Sequence, residues 1–333
     1  MKKKLFLLSA LPLLFGSLTG CGSDSDGGVK IGILTLGFEA VDVAADGFLD
    51  ELAKAGIAYS AIKRIPRDSS DRSVQALDLA SQCSFLLGLG TDNSKSLKAA
   101  VEGKGKAEST TLFFTAVTDP VAEGLVPSKD NGSGFVCGTT DMNPVAEQIE
   151  LIQECIPGVD KVGIFYTASE NNSAIQANMA VEKLNDLGIT PVVQTCMSAT
   201  DISSNITTLV NTEGLDAIYI PTDNNIAANG TRAVSQAVEN KNILVVCGES
   251  GMLKDCGAVT LSIDYENLGR LTGKMAVQVI KGEKKAKDIP VGSLPIEELE
   301  YVMSLNNAKK AGVTIPESVQ NKCKNLDPEE TAA

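Results

Sequence analysis

Polar side chains able to hold a small zwitterion follow several apolar, strand-like runs of this sequence. They lie in five short stretches rich in serine, threonine, asparagine and acidic residues: 90–94, 118–120, 167–173, 221–225 and 248–250. Free backbone amides and hydroxyl groups at a helix start bind a carboxylate, aided by the helix dipole. Asp223 or Glu249 would then pair with an ammonium group. The combination favours a site for a zwitterion such as an amino acid, although the same residue types also serve simply as helix caps.

Histidine and tryptophan are both absent from the 333 residues, and this excludes several classes of function. Without an imidazole there is no Ser-His-Asp or Cys-His nucleophile and no histidine-ligated zinc site. Aromatic residues make up only 4% of the chain, too few for base-stacking surfaces, and the net charge of -13 repels nucleic acid. Nucleic acid is therefore not an expected partner, and enzymatic activity is not expected either.

The glycine motifs that would bind a nucleotide cofactor are incomplete or missing. Residues 88–93 match half of a dinucleotide-binding fingerprint, but Asn93 stands where that fingerprint needs its third glycine. The sequence contains no GxxxxGK[ST] phosphate-binding loop. We therefore expect no cofactor.

Apolar runs alternate with helical patterns from residue 29 onward, which is typical of an α/β protein. The chain length suggests two domains. An internal repeat suggests that they are built alike, because the strand-like runs 31–33 and 162–164 each lead through a helix to a Gly-Ile pair, at Gly56 and at Gly188. We predict two doubly wound, Rossmann-like lobes, each with a parallel sheet whose loops gather at one edge. The predicted strands are 29–36, 85–89, 111–117, 161–166, 217–220, 243–247 and 258–263.

The first residues have the pattern of a bacterial secretory signal. Three lysines at positions 2–4 precede an apolar run too short for a stable membrane span, and small residues stand before Cys21. This resembles a lipoprotein signal, after which a lipidated Cys21 anchors the chain to the extracytoplasmic side of a membrane. The alternative is an ordinary signal peptide that happens to contain a cysteine. Residues 21–28 have the composition of a flexible polar tether.

Seven cysteines follow Cys21, with neither a CxxC pair nor a metal-ligand spacing. Cys247 and Cys256 are the only pair close in sequence. Because an exported protein can form disulfides, a bridge between these two cysteines is one alternative, and two free thiols are the other. The odd number fits no complete disulfide framework.

Five motifs follow one another along the chain: FTAVTDP at 114–120, DMNPVAEQ at 141–148, PTDN at 221–224, SIDYENLG at 262–269 and TGKMA at 272–276. In this order they resemble one family of ABC-transporter substrate-binding proteins, and the resemblance runs from about residue 29 to about 312. Through them the chain is similar to the type I periplasmic-binding proteins that include lipoproteins binding tryptophan and other aromatic amino acids. The resemblance implies two lobes that are joined by three crossing strands and close on a ligand between them. The crossings would lie near 137–141, 261–264 and 297–302.

The same resemblance implies how the chain is divided. A signal peptide would occupy 1–20 and a tether 21–28. Lobe 1 would comprise 29–140 and 264–297, and lobe 2 would comprise 141–263 and 298–320. Residues 321–333 would form a tail.

The resemblance also implies which residues contact the ligand. In place of the family's usual His-Pro before Ala-x-Asp, this chain has Phe38-Glu39. Phe38 and Tyr166 are then the expected aromatic wall, and the added charge of Glu39 bears on ligand choice. The expected ligand-binding residues are Phe38, Thr91, Thr118, Asp119, Ser169, Glu170, Asn172, Ser173, Asp223, Asn224 and Glu249.

Three hypotheses for the function follow. The first is a monomeric, lipid-anchored receptor that binds a small ligand, such as an aromatic amino acid, and delivers it to the permease subunits of an ABC importer. The second keeps the fold but binds a nucleoside or a sugar; such receptors usually stack the ligand between aromatic side chains, of which this chain has few. The third is a surface α/β enzyme with a Ser or Asp nucleophile, but the sequence has neither a GxSxG turn nor a histidine base.

Overall fold

The computed structural model describes residues 28–328 of the chain. The predicted signal, Cys21 and all but the last residue of the tether lie outside the described residues, as do residues 329–333. Over 28–328, no helix is long and apolar enough to cross a membrane. The same span brings together no group of three His, Cys, Asp or Glu side chains that would hold a metal ion.

Strands and helices alternate along the described chain, in agreement with the predicted α/β class. The strands are β1 (Val29–Leu34), β2 (Tyr59–Arg64), β3 (Phe85–Leu89), β4 (Thr111–Thr115), β5 (Val136–Gly138), β6 (Lys161–Thr167), β7 (Thr190–Cys196), β8 (Ala217–Ile220), β9 (Leu244–Cys247), β10 (Val259–Ser262), β11 (Glu300–Met303) and β12 (Lys324–Asn325). The helices are α1 (Glu39–Lys54), α2 (Ser69–Gln82), α3 (Thr91–Gly103), α4 (Val145–Cys155), α5 (Asn171–Asp186), α6 (Ile202–Val210), α7 (Asn224–Asn229), α8 (Thr231–Val238), α9 (Tyr265–Ile280), α10 (Leu305–Ala311) and α11 (Glu317–Gln320).

Lobe 1 is built on a parallel sheet with the strand order β2-β1-β3-β4-β5. Successive residues of β1 point to opposite faces of this sheet. Ile33 joins a core cluster with Phe48 of α1 and Leu268 of α9. Leu34 joins a second cluster with Leu79 of α2. Helices therefore cover both faces, as the continuous apolar runs of the sequence predicted.

Lobe 2 has a larger sheet with the strand order β12-β11-β10-β9-β8-β6-β7. All of its pairs are parallel except β10 with β11. Ile164 of β6 packs in a cluster with Ile149 of α4, whereas its neighbour Phe165 packs in a cluster with Ile206 of α6. This sheet is thus also buried on both faces, and the two lobes share one architecture.

The predicted internal repeat corresponds to β1-α1-β2 in lobe 1 and β6-α5-β7 in lobe 2. Gly56 and Gly188 end the two helices with φ angles of 72° and 73°, a left-handed conformation that glycine adopts without steric cost. In both lobes the second strand of the unit lies at an edge of the sheet.

The chain passes between the lobes three times: between β5 and α4, between β10 and α9, and just before β11. The family resemblance implies crossings near 137–141, 261–264 and 297–302. Near the end of the described chain, β12 pairs with β11, so residues 324 and 325 of the expected tail add a strand to the sheet of lobe 2.

Two predicted strands, 29–36 and 111–117, extend two residues beyond the carboxyl end of the observed strand. The prediction 243–247 exceeds the observed strand by one residue at its start, and 258–263 by one residue at each end. β1 ends at Leu34 because the Leu36 amide donates to the Asp42 side chain, 2.9 Å away, and no longer to a neighbouring strand. β4 ends at Thr115 because Ala116 has a φ angle of 56°, which no strand accommodates. In both cases the end of the apolar run becomes a loop at the edge of the sheet.

The cysteines that the structure describes, Cys247 and Cys256 included, are free thiols. Six of the seven are buried, and burial raises the pKa of Cys137 and Cys155 to about 12. A thiol with so high a pKa stays protonated and is a poor nucleophile.

Candidate functional site

The carboxyl-terminal edges of the two sheets face each other across a narrow space near the crossings between the lobes. We call this space the hinge cleft. Its volume is about 10 Å³, room for about one water molecule, so the lobes are closed and an amino acid enters only when they separate. The cleft is lined by Leu36, Val41, Thr91, Ala116, Thr118, Asp141, Asn172, Thr222 and Asn224.

The lobe 1 side of the hinge cleft is made largely of apolar side chains, Leu36, Val41 and Ala116. The loop that carries Leu36 is held by Asp42, whose carboxylate accepts hydrogen bonds from the Leu36 and Gly37 amides at 2.9 Å each. Polar groups on this side come from two threonines that follow strands, Thr91 at the start of α3 and Thr118 after β4.

The lobe 2 side is formed by loops that are joined to one another by several hydrogen bonds. Asp223 accepts hydrogen bonds from the Thr167 amide at 2.6 Å, the Thr167 hydroxyl at 2.9 Å and the Ile226 amide at 2.8 Å. It thereby caps α7 and ties this helix to the end of β6. The Asp223 side chain is fully buried and does not line the hinge cleft.

Glu170 also holds α7 in place. Its carboxylate accepts hydrogen bonds from the Asn224 and Asn225 amides at 2.9 and 2.8 Å, and from the Asn224 side chain at 2.8 Å. Burial, and after it the negative charge of Asp223, raises the pKa of Glu170 to about 7. The amides of a helix N-terminus compensate part of that cost.

Asn172 and Ser173, in the first turn of α5, reach the loop after β8. The Asn172 side-chain amide and the Ser173 hydroxyl each donate to the Thr222 carbonyl oxygen at 3.0 Å. Asn172 faces the hinge cleft, whereas Ser173 is fully buried behind it. The loop after β6, the start of α5 and the loop after β8 therefore form one hydrogen-bonded unit.

A buried polar network joins the lobes at the hinge. The Tyr265 hydroxyl donates to Asp141 at 3.0 Å, and the Thr118 hydroxyl donates to the other oxygen of Asp141 at 3.2 Å. Gln176 of lobe 2 in turn donates to Thr118 at 3.4 Å. Burial raises the pKa of Asp141 to about 6 against the lowering effect of its two hydrogen bonds. By the lobe boundaries given above, each of these three hydrogen bonds joins a residue of lobe 1 to a residue of lobe 2.

A second, larger space of about 700 Å³ lies between the lobes, and we call it the outer chamber. Its lobe 1 wall is the start of α1, with the half-buried Phe38. Its lobe 2 wall comprises residues of α7 and α8, the segment 249–255 and residues 326–328. This segment contacts lobe 1 closely, because a Cβ atom built on Gly251 would lie 2.4 Å from Cβ of Ala40.

Glu249 lines the outer chamber from the loop after β9. It is 1% exposed, and Oε2 accepts a hydrogen bond from the Gly251 amide at 2.6 Å. Its other oxygen, Oε1, has no hydrogen-bond partner among residues 28–328. Burial raises the pKa of Glu249 to about 7.

The predicted site residues fall into four groups in the structure. Thr91, Thr118, Asn172 and Asn224 line the hinge cleft. Phe38 and Glu249 line the outer chamber. Glu170, Ser173 and Asp223 are bonded to the loops of lobe 2 behind the cleft wall. Asp119 and Ser169 border neither space: Asp119 accepts hydrogen bonds from the amides of residues 121 and 122, and the exposed Ser169 donates to the carbonyl oxygen of residue 197.

Tyr166, expected beside Phe38 in an aromatic wall, packs against a core cluster of lobe 2 and borders neither space. Sequence reasoning also missed cleft residues. Asp141 lies within one of the family-like motifs, and that position was the available signal. Leu36, Val41 and Ala116 gave none, because apolar residues at strand ends look like any others. Thr222 also lines the cleft, although only its neighbours Asp223 and Asn224 in the PTDN motif were predicted to bind the ligand.

Comparisons with known proteins agree with this arrangement. A family model described as ABC transporter substrate binding protein matches residues 30–326. A tyrosine-binding protein of Clostridioides difficile (strain R20291) is 28% identical over 328 residues, which cover 92% of each chain.

Among solved structures, an ABC domain from Streptococcus pneumoniae in complex with L-Trp is 28% identical, with a TM-score of 0.80 over 90% of this chain and 99% of that one. A ligand-free, open substrate-binding protein with adhesive properties from Clostridium difficile is 26% identical and has a lower TM-score, 0.69, over 90% of this chain and 100% of that one. The difference between the two scores is in keeping with closed lobes.

Proposed function

Because the chain belongs to the ABC transporter substrate-binding protein family, we propose that it binds an aromatic amino acid between its lobes and delivers this ligand to the permease of an ABC importer. The observation that carries the proposal is the pair of facing sheet edges, at which both lobes contribute residues to the hinge cleft. A ligand that binds both edges stabilises the closed arrangement, and the permease then distinguishes loaded from empty receptor.

An aromatic amino acid fits the chemistry of the two edges. The apolar side chains Leu36, Val41 and Ala116 on lobe 1 suit a ring, and the polar, bonded loops of lobe 2 suit the charged end of an amino acid. The similarity to a tyrosine-binding protein and to a structure that holds L-Trp supports the same ligand class. Two solved sugar-transport or sugar-binding relatives are only 11% and 15% identical, so their similarity supports the fold alone.

We further propose that the protein acts by binding, without chemistry on its ligand, and that it is monomeric. It would be anchored on the extracytoplasmic side of a membrane through a lipid on Cys21. The sequence pattern of residues 1–21 supports this anchor, and two or more acyl chains would make it stable. The lobe boundaries given above are retained as a proposal, with 324–325 assigned to lobe 2 because β12 pairs there.

The ligand can be tested by fluorescence and thermal melting of the purified protein. Since the chain has no tryptophan, the emission of added L-tryptophan reports on its own binding without background. L-Tyr, L-Trp and L-Phe should raise Tm, because a ligand at a hundred times its Kd stabilises the folded state by about 2.7 kcal/mol. Leucine, a nucleoside and glucose serve as comparison ligands. The proposal fails if no aromatic amino acid shifts Tm and one of the others does.

A further inference from the structure

Two buried carboxylates of lobe 2 stand near the space between the lobes, and they differ in what their oxygens contact. The oxygens of Asp223 accept three hydrogen bonds from Thr167 and Ile226, within lobe 2. Glu249 is as deeply buried, yet only its Oε2 has a donor within the described chain. A buried acceptor without a donor destabilises the folded protein, and a charged acceptor does so more strongly. Glu249 therefore lacks a donor that Asp223 already has.

The outer chamber is the space from which this donor would come. Glu249 lines the chamber, and the chamber's volume of about 700 Å³ admits groups much larger than water. Arg232 and Lys254 also line it, but both are exposed, and neither donates to Oε1 of Glu249, which has no hydrogen-bond partner among residues 28–328. The protein thus leaves this carboxylate oxygen to a group from outside.

We infer that Glu249 binds the protonated amino group of the ligand through Oε1. The inference deepens the proposed function and rests on it. An ammonium group carries three N–H donors and a positive charge, so it supplies the absent hydrogen bond and neutralises a charge that is otherwise buried alone. A hydroxyl donor would make the hydrogen bond but leave the charge.

Glu249 lies between the hydrogen-bonded Tyr265–Asp141 pair of the hinge and the contact that lobe 2 makes with lobe 1 at Ala40. Tyr265 donates to Asp141 of the hinge cleft, and the charge of Glu249 is one of the causes, after burial and Asp141, that raise the pKa of this tyrosine. On its other side, the loop of Glu249 meets Ala40 of lobe 1 through Gly251. An amino group held by Glu249 is therefore enclosed when the lobes close.

The test combines a change in the protein with a change in the ligand. Calorimetry measures the affinity of the wild type and of Glu249→Gln for L-tyrosine and for its amine-free analogue 3-(4-hydroxyphenyl)propanoate. The substitution keeps the size of the side chain and removes its charge. The matched control is Glu182→Gln, which removes the charge of an exposed glutamate on α5 of lobe 2 that borders neither space. We expect Glu249→Gln to lower the affinity for L-tyrosine about tenfold to a hundredfold, the range for losing a hydrogen bond to a charged group. Glu182→Gln should bind L-tyrosine like the wild type.

A structural defect would lower the affinity for both ligands alike, whereas loss of the ammonium contact would lower only the affinity for L-tyrosine, which carries the amine. The inference is overturned if Glu249→Gln binds L-tyrosine within threefold of the wild type. It is equally overturned if the wild type binds the amine-free analogue within threefold of L-tyrosine, a result that does not depend on any variant folding. If the wild type binds no aromatic amino acid at all, the proposed function itself fails, and the inference with it.

Discussion

The two lobes present unlike edges to the space between them. The edge of lobe 1 offers Leu36, Val41 and Ala116, apolar side chains that form no hydrogen bonds to lobe 2. The edge of lobe 2 is a bonded unit in which Asp223 and Glu170 hold α7 against neighbouring loops. The lobes share one architecture, so the difference lies in their loops and not in their sheets.

This difference suits a receptor that opens and closes. The polar groups of lobe 2 are already fixed by one another, so they keep their geometry when the lobes separate, and little ordering entropy is lost on binding. The apolar side chains of the lobe 1 edge separate without breaking hydrogen bonds of their own, and they regain contact when a ring fills the cleft. Lobe 2 would supply orientation, and lobe 1 would supply apolar contact.

The largest expected effect comes from breaking the bonded unit of lobe 2 with Asp223→Ala. The change leaves the buried amides of Thr167 and Ile226 without acceptors and removes the cap of α7. We expect the free energy of unfolding to fall by about 2–4 kcal/mol and ligand binding to be lost. Urea denaturation and calorimetry measure the two effects.

Asp201→Ala is the matched control for that prediction. Asp201 also accepts hydrogen bonds from two backbone amides in lobe 2, at residues 197 and 198, but it lies in the loop before α6 and borders neither space. It should cost about 1 kcal/mol of stability without changing affinity. Equal effects of the two variants on binding would contradict the importance of the bonded unit.

The second prediction concerns pH, because the buried carboxyls of the lobe 2 edge and hinge bind protons tightly. Burial raises the pKa of Asp141 to about 6 and those of Glu170 and Glu249 to about 7. The folded state then holds protons that the unfolded chain has released. Stability should therefore decrease as pH rises from about 4.5 to about 7, by about 5 °C in Tm between pH 5 and pH 8.

Thermal melts of the ligand-free protein check this slope. Glu249→Gln removes one of the three groups and should reduce the fall in Tm, whereas Glu39→Gln on the exposed surface should leave it unchanged. A Tm that is constant or rises between pH 5 and pH 8 would show that the carboxyls are not buried as described.

The third prediction tests the apolar edge of lobe 1. Leu36→Ala removes part of the wall of the hinge cleft, and the affinity for an aromatic amino acid should fall about tenfold, or about 1.4 kcal/mol. Leu77→Ala changes a leucine on α2 of the same lobe that is 45% exposed, and it should leave affinity unchanged. If the two variants bind alike, lobe 1 does not contribute apolar contact to the ligand.

The smallest expected effect is at Ala116, whose φ angle of 56° turns the chain away from β4 toward the cleft. Ala116→Gly relieves the steric cost of a left-handed alanine, and stability should rise by up to about 1 kcal/mol. Ala100→Gly, within helix α3, should instead lower stability by about 1 kcal/mol. Urea denaturation that shows a loss at both positions would contradict a strained turn at Ala116.

Much of the fold could be predicted from the sequence, because it depends on local patterns. The apolar runs became buried parallel strands, and the repeat ending at Gly56 and Gly188 became equivalent units of the two lobes. Four polar residues that follow strands, Thr91, Thr118, Asn172 and Asn224, line the hinge cleft, because parallel strands with right-handed crossovers end on one side of a sheet. The strand ends at Leu36 and Ala116 were misjudged, because a turn there depends on Asp42 and on a single dihedral angle.

Residue types and their spacing thus determined the two α/β lobes and the kind of side chain at their edges. Only the tertiary structure decided which of these side chains are already satisfied. Asp223 and Glu249 look alike in sequence, each an acid after a buried strand. Asp223 meets Thr167, 56 residues away, whereas Glu249 retains an oxygen without a donor. The partner of a buried polar group is set by packing between distant segments, and local sequence carries no record of that packing.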